Sequence, residues 1–186
     1  MSASRTPWAV CKFGGTSVSS RARWDTIVEV VHAHRSKARH PFLVCSALQG
    51  ISDQLEAVLR DAEHGDPTST LDAIRDRHRA LAHDLEVDAS AALSEGFARL
   101  ERLTKEITAA DAPSPRQRAA IMASGELLST RLGAAYLEAQ GLPVQWLDAR
   151  EFLRAKDDPH VAPRRQYLAA TCTSHPDPVL QAHLAN

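Results

Sequence analysis

The hydrophobic pattern of the chain begins with a strand followed by a helix. An apolar run from Trp8 to Phe13 predicts a short buried strand. Ser19 or Ser20 can cap the helix that follows. The apolar positions on one face of that helix are Trp24, Ile27, Val28 and Val31. The N-terminal part of the chain therefore predicts a β-loop-α unit.

The same unit recurs after a break at His40-Pro41. The run PFLVC, residues 41–45, predicts a second buried strand that ends at Ser46, and Ser52 is placed to cap the next helix. The apolar positions on that helix are Leu55, Val58 and Leu59. Two successive units with nearly continuous apolar strands indicate a parallel sheet that helices cover on both faces.

The middle of the chain is predicted to be helical. After a turn at residues 65–67, two amphipathic segments predict a helical hairpin over about residues 68–110. Ser114 as a cap and Pro115 in the first turn start another helix, which the pattern carries to about Gln140. PVQWL, residues 143–147, then predicts a third strand. Beyond Arg150 the pattern weakens: residues 157–166 are predicted as a loop and residues 164–174 as a candidate helix.

Composition and charge limit the class of protein. Hydrophobic residues make up 44% of the 186 residues and charged residues 24%, as is typical of one soluble domain. The formal net charge is -1, so no global field would recruit nucleic acid or a membrane. No apolar run approaches the ~18 residues of a membrane helix, and the N-terminus has no apolar core of a secretory signal. These observations predict a cytoplasmic protein.

Cysteine and histidine residues do not suggest a metal site. Cys11, Cys45 and Cys172 are far apart in the sequence and not in paired spacing, so reduced thiols are predicted rather than disulfides or zinc ligands. His78 and His83 are separated by five positions rather than four, so they do not form a metal pair on one helix face. Both are expected to be solvated or at the edge of the core.

The end of the first predicted strand has the residues of an anion site. Lys12 is delivered to the carboxyl end of the strand, and two glycines and two hydroxyls follow it: Gly14, Gly15, Thr16 and Ser17. Glycine lets the backbone approach a ligand and aim its N–H groups at it, and a helix begins soon after. The spacing matches neither a P-loop nor a dinucleotide fingerprint. A tight turn beside a solvated lysine is the alternative.

Three further residues are candidates for the same site. Because the loops at the carboxyl ends of parallel strands share one crevice, Ser46 and Ser52 can face Lys12. Helix capping is the alternative role for Ser52. Glu126 lies among small and apolar residues in SGELLS, where a carboxylate can be drawn inward to meet a cation or remain an exposed helical residue.

Four motifs resemble the aspartokinase branch of the amino-acid kinase family. They occur in the same order and at similar intervals: KFGGTSV from residue 12, SALQGIS from residue 46, SGELLS from residue 124 and QWLDARE from residue 145. The resemblance implies an α/β fold, a three-layer αβα sandwich around a mainly parallel sheet, with the helical hairpin as an insertion. It implies ATP-dependent phosphorylation of the side-chain carboxylate of L-aspartate, the entry to lysine, threonine and methionine biosynthesis, with Mg²⁺ as the metal cofactor.

The resemblance also implies roles for individual residues. Lys12 would contact and neutralise the transferring phosphoryl group, together with the glycine and hydroxyl residues that follow it. Ser52, where the family has a threonine, would hydrogen-bond aspartate, Glu126 would receive the substrate ammonium, and Ser46 would line the pocket. Asp148 and Arg150 would support the floor of the pocket.

The chain departs from the family in its second half. The family's glycine-rich GRGGSD segment has no counterpart, because no glycine follows Gly141. We therefore expect residues 1–186 to be the N-terminal, substrate-binding portion of a kinase domain, without the nucleotide-binding half or the regulatory ACT domains and inactive alone. The full-length protein is expected to be a homo-oligomer. Two alternatives stay open: another family member acting on glutamate, carbamate or a nucleoside monophosphate, and a binding module without catalysis.

Overall fold

The structure, a computed structural model, describes residues 7–110, 112–156 and 160–185. Two strands lie near the N-terminus, β1 (Trp8–Phe13) and β2 (His40–Cys45), and a short 3₁₀ helix (Gly15–Val18) follows β1. The helices of the described ranges are α1 (Arg21–Arg35), α2 (Ile51–Glu63), α3 (Thr68–Asp84), α4 (Ser90–Thr108), α5 (Pro115–Met122), α6 (Ser124–Ala139), α7 (Ala149–Phe152), α8 (Pro163–Leu168) and α9 (Pro178–Ala185).

The two strands form the predicted parallel pair, but helices cover only one of its faces. The register runs from Trp8 opposite His40 to Phe13 opposite Cys45. Side chains of the inner face, including Phe13, pack against the helical core. On the outer face Val10 is 72% exposed, and Trp8 and Val44 are more than two-fifths exposed. Among the described residues, helices therefore cover the inner face of the predicted sheet, while these side chains leave its outer face exposed.

The predicted third strand over residues 143–147 does not form. Among the described residues this segment joins no strand ladder. The indole Nε1 of Trp146 donates a hydrogen bond to Thr130 Oγ1 at 3.0 Å, and the guanidinium of Arg131 lies 4.2 Å from the Trp146 ring centroid. Both partners belong to α6, so these contacts hold the segment against a helix rather than beside a strand.

The predicted helical hairpin is present as α3 and α4. Arg75 pairs with Glu101, and His78 meets Phe97 edge to face with ring centroids 6.1 Å apart. From Arg75 to His78 the position on α3 advances, while the partner on α4 moves back from Glu101 to Phe97, so the two helices run antiparallel. The expectation for His78 is wrong: it is fully buried, with Nδ1 2.8 Å from the carbonyl oxygen of Ile74.

The long helix predicted from Arg116 to Gln140 is divided in two at Ala123. The predicted start is confirmed, because Ser114 Oγ accepts the backbone N–H of Gln117 at 3.2 Å. At the division, Ser124 Oγ donates to the carbonyl oxygen of Ala120 at 3.1 Å, a bond to the preceding turn that bends helices.

The C-terminal part is more helical than its sequence pattern predicts. Helix α8 begins at Pro163 inside the predicted loop, and α9 covers Pro178–Ala185, where no element was predicted. Residues 157–159 of the predicted loop lie outside the described residues. The three cysteines are free thiols, as predicted. A search of the described helices finds none with the length and apolar character needed to cross a membrane.

Candidate functional site

The loops that follow β1 and β2 touch each other at Gly15. A Cβ atom built on Gly15 would lie 2.9 Å from the carbonyl oxygen of Ala47 and 3.3 Å from the amide nitrogen of Gln49. Because both neighbours are backbone atoms, only glycine fits at this contact. The amide of Ser46 also donates to the carbonyl oxygen of Phe13 at 3.0 Å. The two predicted site segments therefore share one edge of the sheet.

Lys12 lies at the end of β1, directly beside the glycine turn. Its side chain is exposed, and Nζ is 3.7 Å from the position of a Cβ built on Gly14. The amide of Ser17 donates to the carbonyl oxygen of Gly14 at 2.9 Å and closes the turn, while Thr16 is exposed. Within the part of the chain that the structure describes, the Lys12 ammonium forms no ion pair. It is therefore available to an anionic ligand.

The N-terminus of α6 meets the same loops. A Cβ built on Gly125 would lie 2.8 Å from Ala47 Cβ and 3.2 Å from Ile51 Cγ2, and Ser129 Oγ donates to the carbonyl oxygen of Ser46 at 2.6 Å. Helix α2 begins at Ile51, so the amino ends of α2 and α6 both lie beside Ala47. Helix amino ends carry partial positive charge. The amino end of α2 therefore favours an anion, whereas α6 continues directly from α5 through Ala123.

Ser52 and Glu126 directly follow Ile51 and Gly125, the two residues through which α2 and α6 pack together. Ser52 is exposed in the first turn of α2, and its predicted capping role is wrong, because Gly50, with φ of 84°, takes the cap position. Glu126 is exposed in the first turn of α6, so the carboxylate is not drawn into the core. Since Ile51 and Gly125 pack against one another, the first helical turns that contain Ser52 and Glu126 adjoin.

Asp148 and Arg150 form a local pair with each other. Arg150 donates to Asp148 from its backbone amide at 3.0 Å and from Nε at 2.8 Å, and Asp148 caps α7. The hydrogen bonds from Arg150, with the charge of Arg99 nearby, hold the pKa of Asp148 below its ordinary value. None of the contacts described for this pair reaches the loops after β1 and β2. Their predicted role at the pocket floor stays a prediction.

Two serines have roles that their sequence positions did not reveal. Of the two candidate caps of α1, Ser20 holds the cap position without a capping side-chain bond, and Ser19 bonds both loops. Ser129 bonds the second loop from α6. The one sequence feature that could have indicated the role of Ser129 is its spacing, four residues after Gly125, which places both residues on one helix face.

The described residues do not form a protein cage for a metal ion. They contain no group of three or more histidine, cysteine, aspartate or glutamate side chains that could hold one. Mg²⁺ is commonly held by one or two carboxylates together with substrate phosphates. The side chains on these loops are hydroxyls and an ammonium, and they fit a phosphate better than they fit a metal.

A parallel strand pair whose glycine-containing loops meet beside an exposed lysine defines an α/β protein with a candidate phosphate site. The sequence model of the amino acid kinase family matches residues 7–178, and the chain belongs to this family. Within the family it is similar to aspartokinases. It is 33% identical over 160 residues to the aspartokinase of Chlamydia trachomatis serovar D, covering 80% of the chain and 34% of that relative.

Other relatives agree with this similarity. The lysine-sensitive aspartokinase 3 of Escherichia coli is 33% identical over 153 residues, which cover 80% of the chain and 32% of that protein. The crystal structure of E. coli aspartokinase III with aspartate and ADP has a TM-score of 0.68 at 26% identity, over 88% of the chain and 37% of that structure. A structure of the same enzyme with lysine and aspartate has a TM-score of 0.69 at 29% identity, over 97% of the chain and 37% of that structure.

The predicted family and fold class are thereby confirmed, including the parallel sheet of a truncated αβα sandwich. The chain spans about a third of the length of the curated relatives that it matches.

Proposed function

We propose that the chain supplies the substrate-binding part of an enzyme that transfers the γ-phosphoryl group of ATP to the side-chain carboxylate of L-aspartate, giving 4-phospho-L-aspartate and ADP. The observation that carries the proposal is the backbone contact of the two loops at Gly15, with the exposed ammonium of Lys12 beside it. The similarity to aspartokinases, one of which is solved with aspartate and ADP, supports the choice of substrate.

The reaction demands little acid or base chemistry from the protein. A carboxylate with a pKa of about 4 is already ionised near neutral pH, so no general base is needed. Its oxygen forms a bond to the γ-phosphorus while the bond to the bridging oxygen of ADP breaks, and ADP leaves with that electron pair. Charge neutralisation and in-line positioning are what remain for the enzyme to supply.

The charges on the loops suit these two tasks. The ammonium of Lys12 neutralises the transferring phosphoryl group, and the backbone N–H groups of the turn that contains Gly14, Gly15, Thr16 and Ser17 can donate to its oxygens. The Lys12 side chain already lies over Gly14, so little movement is needed to form this contact. Because Lys12 forms no ion pair among the described residues, no carboxylate competes with the phosphate for it.

The substrate side of the site is formed by α2, α6 and the second loop. Ser52 donates to the aspartate, Glu126 receives its ammonium, and Ser46 lines the pocket. The exposure of Ser52 and Glu126 at adjoining helix starts supports these roles, because both groups can meet a ligand without a change of fold. Asp148 and Arg150 would act on the floor of the pocket through the segment before α7.

Mg²⁺ would enter with the nucleotide rather than sit in a cage of this chain's side chains, as the absence of a metal-binding group among the described residues suggests.

We also propose a cytoplasmic protein that acts on small molecules rather than nucleic acid, in agreement with a net charge of -1, and a homo-oligomer for the full-length form. The chain alone is expected to release little ADP, since it aligns with only about a third of the length of its relatives.

A substrate panel tests the proposal. The natural gene product that carries this chain is incubated with ATP, Mg²⁺ and, separately, aspartate, glutamate, carbamate or a nucleoside monophosphate, and ADP release is measured. Release that depends on aspartate supports the proposal. Release with another acceptor points to a different branch of the family, and no release with any acceptor favours a binding module.

A further inference from the structure

The hydroxyl of Ser19 joins the two loops of the candidate site. Its Oγ donates to the carbonyl oxygen of Gly15 at 2.6 Å, in the loop after β1. The same oxygen accepts the backbone N–H of Gln49 at 2.8 Å, in the loop after β2. One atom therefore links two segments that lie 30 positions apart in the sequence. The hydroxyl thus donates its single proton to one loop and accepts a bond from the other.

The helical hairpin holds Ser19 from the other side. Arg77 of α3 donates from Nη2 to the carbonyl oxygen of Ser19 at 3.0 Å. The Arg77 side chain is half-buried, and charge-assisted hydrogen bonds of this kind are stronger than neutral ones. Nearby, Trp24 Nε1 donates to the carbonyl oxygen of Val18 at 2.9 Å. The backbone on the carboxyl side of the 3₁₀ helix is thus anchored at two consecutive carbonyl groups.

The two joined loops have different tasks in the proposed reaction. The first contains the glycine turn beside Lys12, which faces the phosphoryl group. The second leads through Gln49 into the start of α2, where Ser52 faces the acceptor substrate. A link between these loops fixes the separation of the phosphoryl donor from the attacking carboxylate. Reaction rates are sensitive to that separation, because a misplacement of about 1 Å can cost roughly 100-fold.

We propose that Ser19, held by Arg77, is a positioning residue that sets the spacing between the phosphoryl-facing loop and the aspartate-facing loop. This inference rests on the proposed function, since it assigns a donor to one loop and an acceptor to the other. It gives the helical hairpin a role in the reaction, through Arg77. Loss of the link should lower kcat more than it raises either KM, because each loop still binds its own ligand.

The test uses matched variants at both ends of the link. Ser19→Ala removes the hydroxyl and Ser19→Thr restores one, while Ser20→Ala is the control at a neighbouring serine without a capping side-chain bond. Arg77→Gln removes the guanidinium, and Arg79→Gln is its control at an exposed position of the same helix. Steady-state kinetics with ATP and aspartate are measured on the natural gene product, and thermal unfolding checks that each variant is folded.

We expect kcat to fall about tenfold or more below wild type in Ser19→Ala and Arg77→Gln, while both KM values stay within about twofold. The kcat of Ser19→Thr should recover substantially, and the control variants should have wild-type kinetics. Amide hydrogen exchange of the 186-residue chain provides a second readout without catalysis. The Gln49 amide should exchange about fivefold faster in Ser19→Ala than in Ser20→Ala, because it loses its acceptor.

Three outcomes would overturn the inference. Unchanged Gln49 exchange in Ser19→Ala would show that the link is absent in solution. Faster exchange with wild-type kcat, or a loss confined to KM, would show a link without a positioning role. A wild-type protein that releases no ADP with aspartate would instead defeat the proposed function and the positioning role with it, whereas the exchange result would still report on the link itself.

Discussion

At the scale of single residues, the two glycines that follow β1 differ in what surrounds them. A Cβ on Gly15 would press on backbone atoms of the second loop, at 2.9 and 3.3 Å, whereas a Cβ on Gly14 would meet only Lys12 Nζ at an ordinary 3.7 Å. Backbone atoms cannot rotate away as a side-chain end can. The adjacent pair therefore offers a matched test of the loop contact.

We expect Gly15→Ala to destabilise the protein by about 1–3 kcal/mol, the usual cost of forcing extra volume into a close contact. Gly14→Ala should stay within about 0.5 kcal/mol of wild type, because its new methyl group meets no backbone. Chemical unfolding of the 186-residue chain measures both values. Equal stability of the two variants would contradict the close approach of the loops.

The residue types along the sequence predicted part of the candidate site, but they did not predict the hydrogen bonds between its segments. The lysine, glycines and hydroxyls from Lys12 to Ser17 are local in sequence, so their convergence could be predicted. The hydroxyls of Ser19 and Ser129 find partners 30 and 83 positions away, and no local pattern encodes such bonds. For Glu126 the sequence left two alternatives open, and the structure shows the exposed one, because Gly125 and Leu128 face the core while the position of Glu126 on the helix faces outward.

At the scale of elements, the helical hairpin contains a buried histidine whose neutral form is favoured. His78 is fully buried between α3 and α4, and burial lowers its pKa below the ordinary value of 6.5. Its Nε2 has no hydrogen-bond partner among the described residues. The nearby charge of Arg77 on its own helix also lowers the pKa of His78, while the hydrogen bond to the carbonyl oxygen of Ile74 opposes this shift.

We therefore expect the protein to lose stability as the pH falls below about 6.5, because the unfolded chain takes up a proton that the folded His78 refuses. The loss should approach about 1.4 kcal/mol per pH unit until the lower pKa of the folded state is reached. Unfolding free energies at pH 7.5 and 5.5 are compared for wild type, His78→Asn and the exposed control His83→Asn. A His78→Asn variant as acid-sensitive as wild type would contradict this assignment.

Helix α6 packs against α1 through a second close glycine contact. A Cβ on Gly133 would overlap the buried indole of Trp24, which is itself hydrogen-bonded to the carbonyl oxygen of Val18. On α4, a Cβ on Gly96 would meet the Leu128 side chain, at 2.6 Å from Cδ2 and 3.4 Å from Cγ. Gly133 thus faces a large rigid ring, whereas Gly96 faces an aliphatic side chain that can change rotamer.

Gly133→Ala should destabilise the protein by about 3 kcal/mol or more, since the large ring of Trp24 has no free volume to enter. Gly96→Ala should cost less, because Leu128 can change rotamer and alanine favours a helix by up to about 1 kcal/mol. Thermal and chemical unfolding of both variants measure the difference. A larger loss for Gly96→Ala would contradict the described packing of α6 on α1.

At the scale of the whole molecule, the sequence predicted what depends on local periodicity. The two β-loop-α units, their parallel pairing and the hairpin of α3 and α4 are all present. One prediction that depends on distant partners was wrong. Residues 143–147 are anchored to α6 through Trp146 and join no strand in the described chain. The apolar strands predicted two covered faces, and the described residues show one of them covered, with Val10 and Val44 exposed on the other.

Trapping of the acyl phosphate tests the proposed reaction most directly. The natural gene product is incubated with ATP, Mg²⁺, aspartate and hydroxylamine, and the aspartyl hydroxamate formed from the acyl phosphate is measured for wild type, Lys12→Met and the exposed control Lys37→Met. Hydroxamate formation should require aspartate, be unchanged in Lys37→Met, and fall by roughly 100-fold or more in Lys12→Met, because the transferring phosphoryl group loses its neutralising charge. Equal hydroxamate formation by Lys12→Met and wild type, or none from wild type with aspartate, would contradict the assignment of these loops to phosphoryl transfer.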